Sequence, residues 1–284
     1  MKKIKLLLCL FMLTTLCGCS NSNKNESSKT LNAAMFWIST SLDPTNNYDG
    51  WVLSRIGVGE TLLKLNEKYE VEPSLAKSYE QIDDTTWKLT LKDHITFSNG
   101  NKVTGENVKA CLERAFEKNT RAIDYFDLNH VEADKQDVYL YLNKSSGAIL
   151  NNLCEPLFTI YDASQSEEDI ANHPLCTGPF VVDDFVSEKT IDTSKNKKYY
   201  DGKAKLDHVH FSQVADSDAR VLALQSGEVD LANTIDYSSL KLFRNNKDYQ
   251  VLEVLGPRTN VIYMNNETTF LSDLTIRKAL SYSV

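Results

Sequence analysis

From Leu31 onward the chain alternates short apolar runs of period two with amphipathic runs of helical period, which confines it to a mixed α/β fold. Trp87, Leu89 and Leu91 alternate with Lys88, Thr90 and Lys92, and Val138, Leu140 and Leu142 alternate with Tyr139 and Tyr141. Each is the pattern of a strand with one buried face. Ala33 to Ile38, Leu206 to Phe211, Val229 to Leu231 and Val261 to Met264 read as further strands. Thr104 is a good N-cap for a helix whose one face carries Val108, Cys111, Leu112, Ala115 and Phe116. Asp216 or Ser217 caps another helix that stops at Gly227, and Trp51 to Leu65 reads as a helix weakened at Gly57-Val58-Gly59. Gly100, Gly178 and Gly227 fall where a turn or a close approach needs a residue without a Cβ. Leu274 to Val284 is an amphipathic helix whose stripe of Ile276, Ala279, Leu280 and Val284 has no sequence left to cover it. The chain therefore reads as a fragment or a truncated product.

The N-terminus carries a different signature. Lys2, Lys3 and Lys5 precede an apolar stretch from Leu6 to Leu16, broken only by Thr14 and Thr15, and Leu16-Cys17-Gly18-Cys19 follows. The stretch is too short for a permanent membrane span, so residues 1–18 read as a removable secretory signal. The last four residues resemble a lipobox, which makes Cys19 the lipidated N-terminus of the mature chain; the alternative is an ordinary signal cut near Gly18. Residues 19–30 then form a flexible tether, because Ser20 to Thr30 contains only Ser, Asn, Lys, Glu and Thr.

The formal charge of −8 becomes more negative once the three signal lysines are gone. An acidic body argues against nucleic acid as a partner. Removing the signal and lipidating Cys19 leaves Cys111, Cys154 and Cys176. Cys111 lies on the apolar helix face and reads as a core thiol, whereas Cys154 and Cys176, each near a proline, are a candidate disulfide.

Several stretches in order resemble solute-binding protein family 5, the extracytoplasmic receptors of peptide and nickel ABC transporters. They are Val71 to Tyr79, Trp87 to Asn107 with Phe97-Ser98-Asn99-Gly100, and Cys176-Thr177-Gly178-Pro179-Phe180. Asn196 to Tyr200, Arg220 to Asp230, Tyr263 to Asn265 and Ile276 to Leu280 extend the match. The resemblance implies an α/β, periplasmic-binding-protein-like two-lobed clamp (type II, cluster C) that closes over ligand by a hinge motion. Residues 31–260 would then be lobe I, and 261–284 the hinge and the start of a truncated lobe II, with the hinge near Arg258 to Asn265.

On the same basis the ligand face draws on loops at the lobe edge. Trp37, Tyr48 and Trp51 surround the Asp43-Pro44 break, and either line the ligand or, for the two tryptophans, pack in the core. Arg121 follows the helix that begins at Thr104, at the position where nickel-type members place an arginine on ligand carboxylates. The alternative there is a solvated arginine. Glu155 stands where a second family arginine would align and reverses its charge, which suits an amine or cation. Asp49 and Glu60 are possible helpers. His208 and His210 share one strand face but lack a third ligand at suitable spacing, so they read as a surface pair rather than a metal site. No cofactor and no enzymatic activity are implied. The expected role is a lipid-anchored receptor on the extracytoplasmic face of the cell membrane, delivering a peptide or nickel chelate to an ABC permease and ATPase complex. Rival readings are a peptide-sensing lipoprotein without a transport role, and a metal-dependent extracellular hydrolase built on His208 and His210.

Overall fold

The computed structural model describes residues 28–254, 256 and 260–284. The signal at 1–18, Cys19, most of the tether and part of the expected hinge lie outside the described residues. One large unit extends to Asp236, and a small one spans Tyr237–Val284.

In chain order the strands are β1 (Thr30–Met35), β2 (Leu63–Leu65), β3 (Val71–Pro73), β4 (Ala76–Gln81), β5 (Thr86–Leu91), β6 (Leu128–Asp134), β7 (Asp137–Leu142), β8 (Phe180–Val186), β9 (Thr190–Lys195), β10 (His208–Gln213) and β11 (Leu231–Ala232). The helices are α1 (Gly50–Arg55), α2 (Gly105–Lys118), α3 (Ala122–Tyr125), α4 (Ile149–Asn152), α5 (Glu167–Asn172), α6 (Ser217–Ser226) and α7 (Leu274–Tyr282). A five-stranded sheet has the order β11-β1-β10-β9-β8, in which β1 is parallel to both of its neighbours. A four-stranded antiparallel sheet has the order β4-β5-β7-β6, and β2 pairs with β3 alone.

The period-two runs behave as their pattern requires. Leu89 and Leu91 on β5, and Val138, Leu140 and Leu142 on β7, are buried, while Lys88, Thr90, Tyr139 and Tyr141 stay partly exposed. Against that apolar face lies α2, which buries Val108, Cys111, Leu112 and Ala115. Its start is a capping box in which the Asn107 N–H donates to the Thr104 hydroxyl and the Thr104 N–H donates to the Asn107 side chain. These bonds satisfy N–H groups that a helix start leaves open. The Asp216 carboxylate caps α6, and Gly227 ends it in the left-handed region at φ +75°.

Three expectations need correction. The helix expected over 51–65 stops at Arg55, because Gly57 turns to φ +71° and its segment pairs with the Cys176–Phe180 stretch instead. The Gly178 N–H donates to Val58 O at 3.0 Å and the Phe180 N–H to Gly57 O at 3.1 Å. A Cβ on Gly178 would lie 2.5 Å from the Gly57 carbonyl oxygen, so this contact requires glycine. Second, Val261–Met264 is not a strand: no ladder pairs it among the described residues, and Val261, Ile262 and Tyr263 are exposed. Third, Cys154 and Cys176 are free thiols. Cys154 closes the turn after α4 with its Sγ on the Leu150 carbonyl at 3.4 Å. Cys176 is buried in a bridge opposite Tyr161, whose carbonyl accepts from the Cys111 thiol at 3.2 Å. Desolvation pushes Cys154 up to about 11 and Cys176 well above the usual thiol range.

The small unit holds a 3-10 turn at Tyr237–Leu242 and α7, whose first turn is capped by Asp273 on the Thr275 N–H at 2.7 Å. Among the described residues no helix is long and apolar enough to cross a membrane.

Candidate ligand-binding site

The loop from Asp43 to Asp49 contains few apolar side chains and is shaped mainly by polar contacts with the end of α2. The Arg114 guanidinium grips the Asp43 carboxylate with two parallel bonds, Nη1 to Oδ1 at 2.8 Å and Nη2 to Oδ2 at 2.6 Å. Nη1 also donates to the Thr45 hydroxyl at 2.7 Å and to the Tyr161 hydroxyl oxygen at 3.0 Å. Burial alone would raise the Asp43 carboxyl, but Arg114 and Thr45 outweigh it and hold the group below its ordinary value. The Asn119 amide, just past α2, donates to the carbonyls of Thr45 and Asn47 at 3.1 Å each. Asp49 is only 2 % exposed and takes one bond from the Asn46 amide at 2.6 Å. Desolvation pushes its carboxyl up to about 6, against the Asn46 bond and with help from Asp43.

Beyond this clamp the chain enters α1, which lies against the 3-10 turn Pro156–Phe158. A Cβ on Gly50 would overlap the Pro156 carbonyl, so glycine sets how closely the two approach. That approach brings Trp51 to Glu155: the indole N–H donates to Glu155 Oε1 at 2.8 Å. Arg121 reaches the same oxygen at 3.8 Å through Nη2, which donates to the Tyr125 hydroxyl oxygen at 2.7 Å. Arg121 Nη1 donates to Asn47 O at 2.9 Å, and the guanidinium carbon stands 3.7 Å from the centre of the Tyr48 ring. Burial first, and the nearby Glu155 carboxylate next, push the Tyr125 hydroxyl up to about 12, so it stays protonated. Arg55 adds a second guanidinium, 5.5 Å from the rings of Trp51 and Phe36.

Of the residues singled out from sequence, Tyr48, Trp51, Arg121 and Glu155 come together here. Tyr48 and Trp51 are 55 % and 38 % exposed, so the cluster opens to solvent. Trp37 does not join them; it is half-buried and packs on the main core. Tyr125 and Arg55 belong to the cluster and were not singled out. For Tyr125 a signal existed, since it lies one helical turn after Arg121. Glu60 lies elsewhere, accepting from Thr177 at 2.7 Å, Tyr200 at 3.1 Å and Tyr199 at 3.4 Å, and burial holds it above its ordinary value. It ties together the segments around Gly57, Gly178 and Asn196. His210 is paired with Asp192 across the β9–β10 ladder at 2.6 Å, and His208 is exposed. Among the described residues no group of three or more His, Cys, Asp or Glu side chains is placed to hold a metal ion.

Aromatic rings around an arginine and a carboxylate offer contact area together with charges of both signs. The chain belongs to the bacterial extracellular solute-binding proteins, family 5, whose model matches residues 70–284. It is 31% identical over 269 residues to the nickel-binding protein NikA of Staphylococcus aureus, covering 95% of this chain and 53% of that one. The crystal structure of that NikA in complex with Ni(L-His)2 superposes with a TM-score of 0.73 at 31% identity, over 78% of this chain and 46% of the other. The glutathione-binding protein GsiB of Escherichia coli O157:H7 is 28% identical over 232 residues, covering 78% of this chain and 45% of its own length. The chain thus spans about half the length of the curated relatives it matches.

Proposed function

We propose that this chain forms the ligand-facing part of a receptor that captures a small polar cargo outside the cytoplasm and delivers it to an ABC permease. The cargo is a nickel chelate or a short peptide, and the receptor is tethered to the membrane through a lipid on Cys19. The reading is carried by the solvent-open cluster of Tyr48, Trp51, Arg121, Tyr125 and Glu155 within a family 5 chain. Aromatic faces supply contact area, while the guanidinium and carboxylate orient a ligand that bears groups of both signs. A nickel–amino acid chelate is favoured first, because a nickel-binding relative is similar over 95% of this chain and a solved relative holding Ni(L-His)2 superposes over 78% of it. A peptide is the second reading, favoured by Glu155, whose carboxylate suits an ammonium group.

Equilibrium dialysis of the purified whole protein against Ni(L-His)2 and, separately, the zwitterionic peptide triglycine tests the proposal. Saturable retention of either supports it, and loss of that retention in Trp51→Ala assigns it to this cluster. Retention of neither, together with unchanged nickel and peptide uptake in a deletion strain, sinks it. Radiolabelled palmitate incorporated by the wild type but not by Cys19→Ala supports the anchor; equal labelling of both removes it.

A further inference from the structure

We propose that Glu155 is the specificity-determining residue of this cluster: by occupying Arg121 it excludes ligands of net negative charge and admits neutral or zwitterionic ones. The inference rests on the ligand-binding reading given above. A free guanidinium at an aromatic rim is among the strongest receptors for carboxylates and other anions, because it donates paired, charge-assisted bonds. Arg121 is not free. One nitrogen donates to Asn47 O and the other to the Tyr125 hydroxyl, and Tyr48 lies against the guanidinium at 3.7 Å. The second nitrogen also faces Glu155 at 3.8 Å.

Glu155 in turn is fixed rather than swinging. Its side chain is 12 % exposed, and it accepts the Trp51 indole N–H at 2.8 Å. Turning it away from Arg121 would break the Trp51 bond and move a little-exposed carboxylate away from its nearest cation. An incoming anion therefore meets a guanidinium whose charge is already balanced and a carboxylate that repels it at close range. A zwitterion meets the opposite situation, since its ammonium and carboxylate match Glu155 and Arg121 separately. Specificity of this kind comes from the repulsive element as much as from the attractive one. The filter is therefore the Arg121–Glu155 balance, and not the charge of the whole surface.

The test uses two nickel complexes of different charge, Ni(L-His)2 without net charge and Ni–EDTA with two negative charges, titrated calorimetrically into the whole protein. The wild type should prefer Ni(L-His)2. Glu155→Gln, which keeps shape and an acceptor for Trp51, should shift the ratio of the two affinities toward Ni–EDTA by on the order of tenfold or more. A variant that binds both in the wild-type ratio overturns the filter while leaving the receptor reading intact. A wild type that binds neither nickel complex overturns the filter, and one that also retains no triglycine in dialysis overturns the receptor reading with it. A ligand-free readout accompanies this, in a Trp37→Phe, Trp87→Phe background where Trp51 alone fluoresces. Glu155→Gln should raise quenching by iodide relative to neutral acrylamide, and an unchanged ratio counts against the filter.

Discussion

Arg114 and Arg121 sit near the end of the same helix and touch the same loop, yet their surroundings differ in kind. Arg114 meets Asp43 fork to fork, with Thr45 and Tyr161 taking its remaining reach, and both partners of the pair are little exposed. Arg121 has its carboxylate at 3.8 Å, a backbone carbonyl, a phenol and a tyrosine face. The first arrangement is saturated and rigid, so it serves as a strut that holds the loop bearing Tyr48. The second is looser and lies beside the exposed rings of Tyr48 and Trp51. Geometry separates the two roles where residue type does not.

The largest effect expected from breaking this contrast comes from Arg114→Ala. It leaves the Asp43 carboxylate largely buried without its cation, a change that typically costs about 3 kcal/mol or more. Arg121→Ala removes a longer, more exposed pair and should cost no more than about 1 kcal/mol. Urea denaturation of both variants measures the difference, and equal losses would erase the distinction. Replacing Asp43 and Arg114 together by Asn and Met should recover part of the loss, because no charge is then left unpaired.

Acid titration sharpens the contrast at intermediate size. The Asp43 carboxyl is held below its unfolded value of 3.8, so the clamp contributes fully above that pH. That contribution is lost as pH falls through the lower folded value. Asp49 has the opposite sign: its folded value is raised from 3.8 to about 6, so it favours the folded state when protonated. Stability should therefore decline from about pH 4 to pH 6 on its account, and Asp49→Asn should flatten that segment only. Asp43→Asn should instead flatten the acid limb, and thermal melts across pH 3 to 7 separate the two.

How much of this was legible before the structure follows from the range of the interactions. The strands over Trp87 to Leu91 and Val138 to Leu142, the Thr104 cap and the Gly227 stop are local signals, and they read correctly. The break after Arg55 was visible as Gly57-Val58-Gly59, but its force comes from Gly178 and Phe180, far along the chain. Val261 to Met264 has the composition of a strand but no pairing partner among the described residues, and composition alone cannot supply one. The expectation that Tyr48, Trp51, Arg121 and Glu155 face ligand rests on the family resemblance, and the geometry adds that the four stand together. Arg114 was missed because its meaning depends on Asp43, which no local pattern connects to α2. The disulfide expectation failed for a similar reason. Nearness in sequence says little about which way two thiols point once Cys154 has turned back on α4 and Cys176 has entered the core.

The smallest expected effect concerns the ring over Arg121. Tyr48 is more than half exposed, so its removal exposes little new apolar surface, yet it lies nearer to Arg121 than any other aromatic ring described. A cation held on an exposed ring face contributes about 0.5–1 kcal/mol. Tyr48→Ala should therefore lower stability by no more than that, while releasing the Arg121 side chain to sample other rotamers. Tyr48→Phe keeps the ring face and removes only the hydroxyl, so it should match the wild type in melting temperature. The pair of variants isolates one contact. If Phe is as costly as Ala, the hydroxyl and not the ring holds this tyrosine, and the close ring face that sets Arg121 apart from Arg114, whose Tyr161 ring stands at 5.8 Å, carries no weight. If Phe is silent and Ala alone loosens the site, the loop held by the Arg114 clamp delivers its effect through a single ring face.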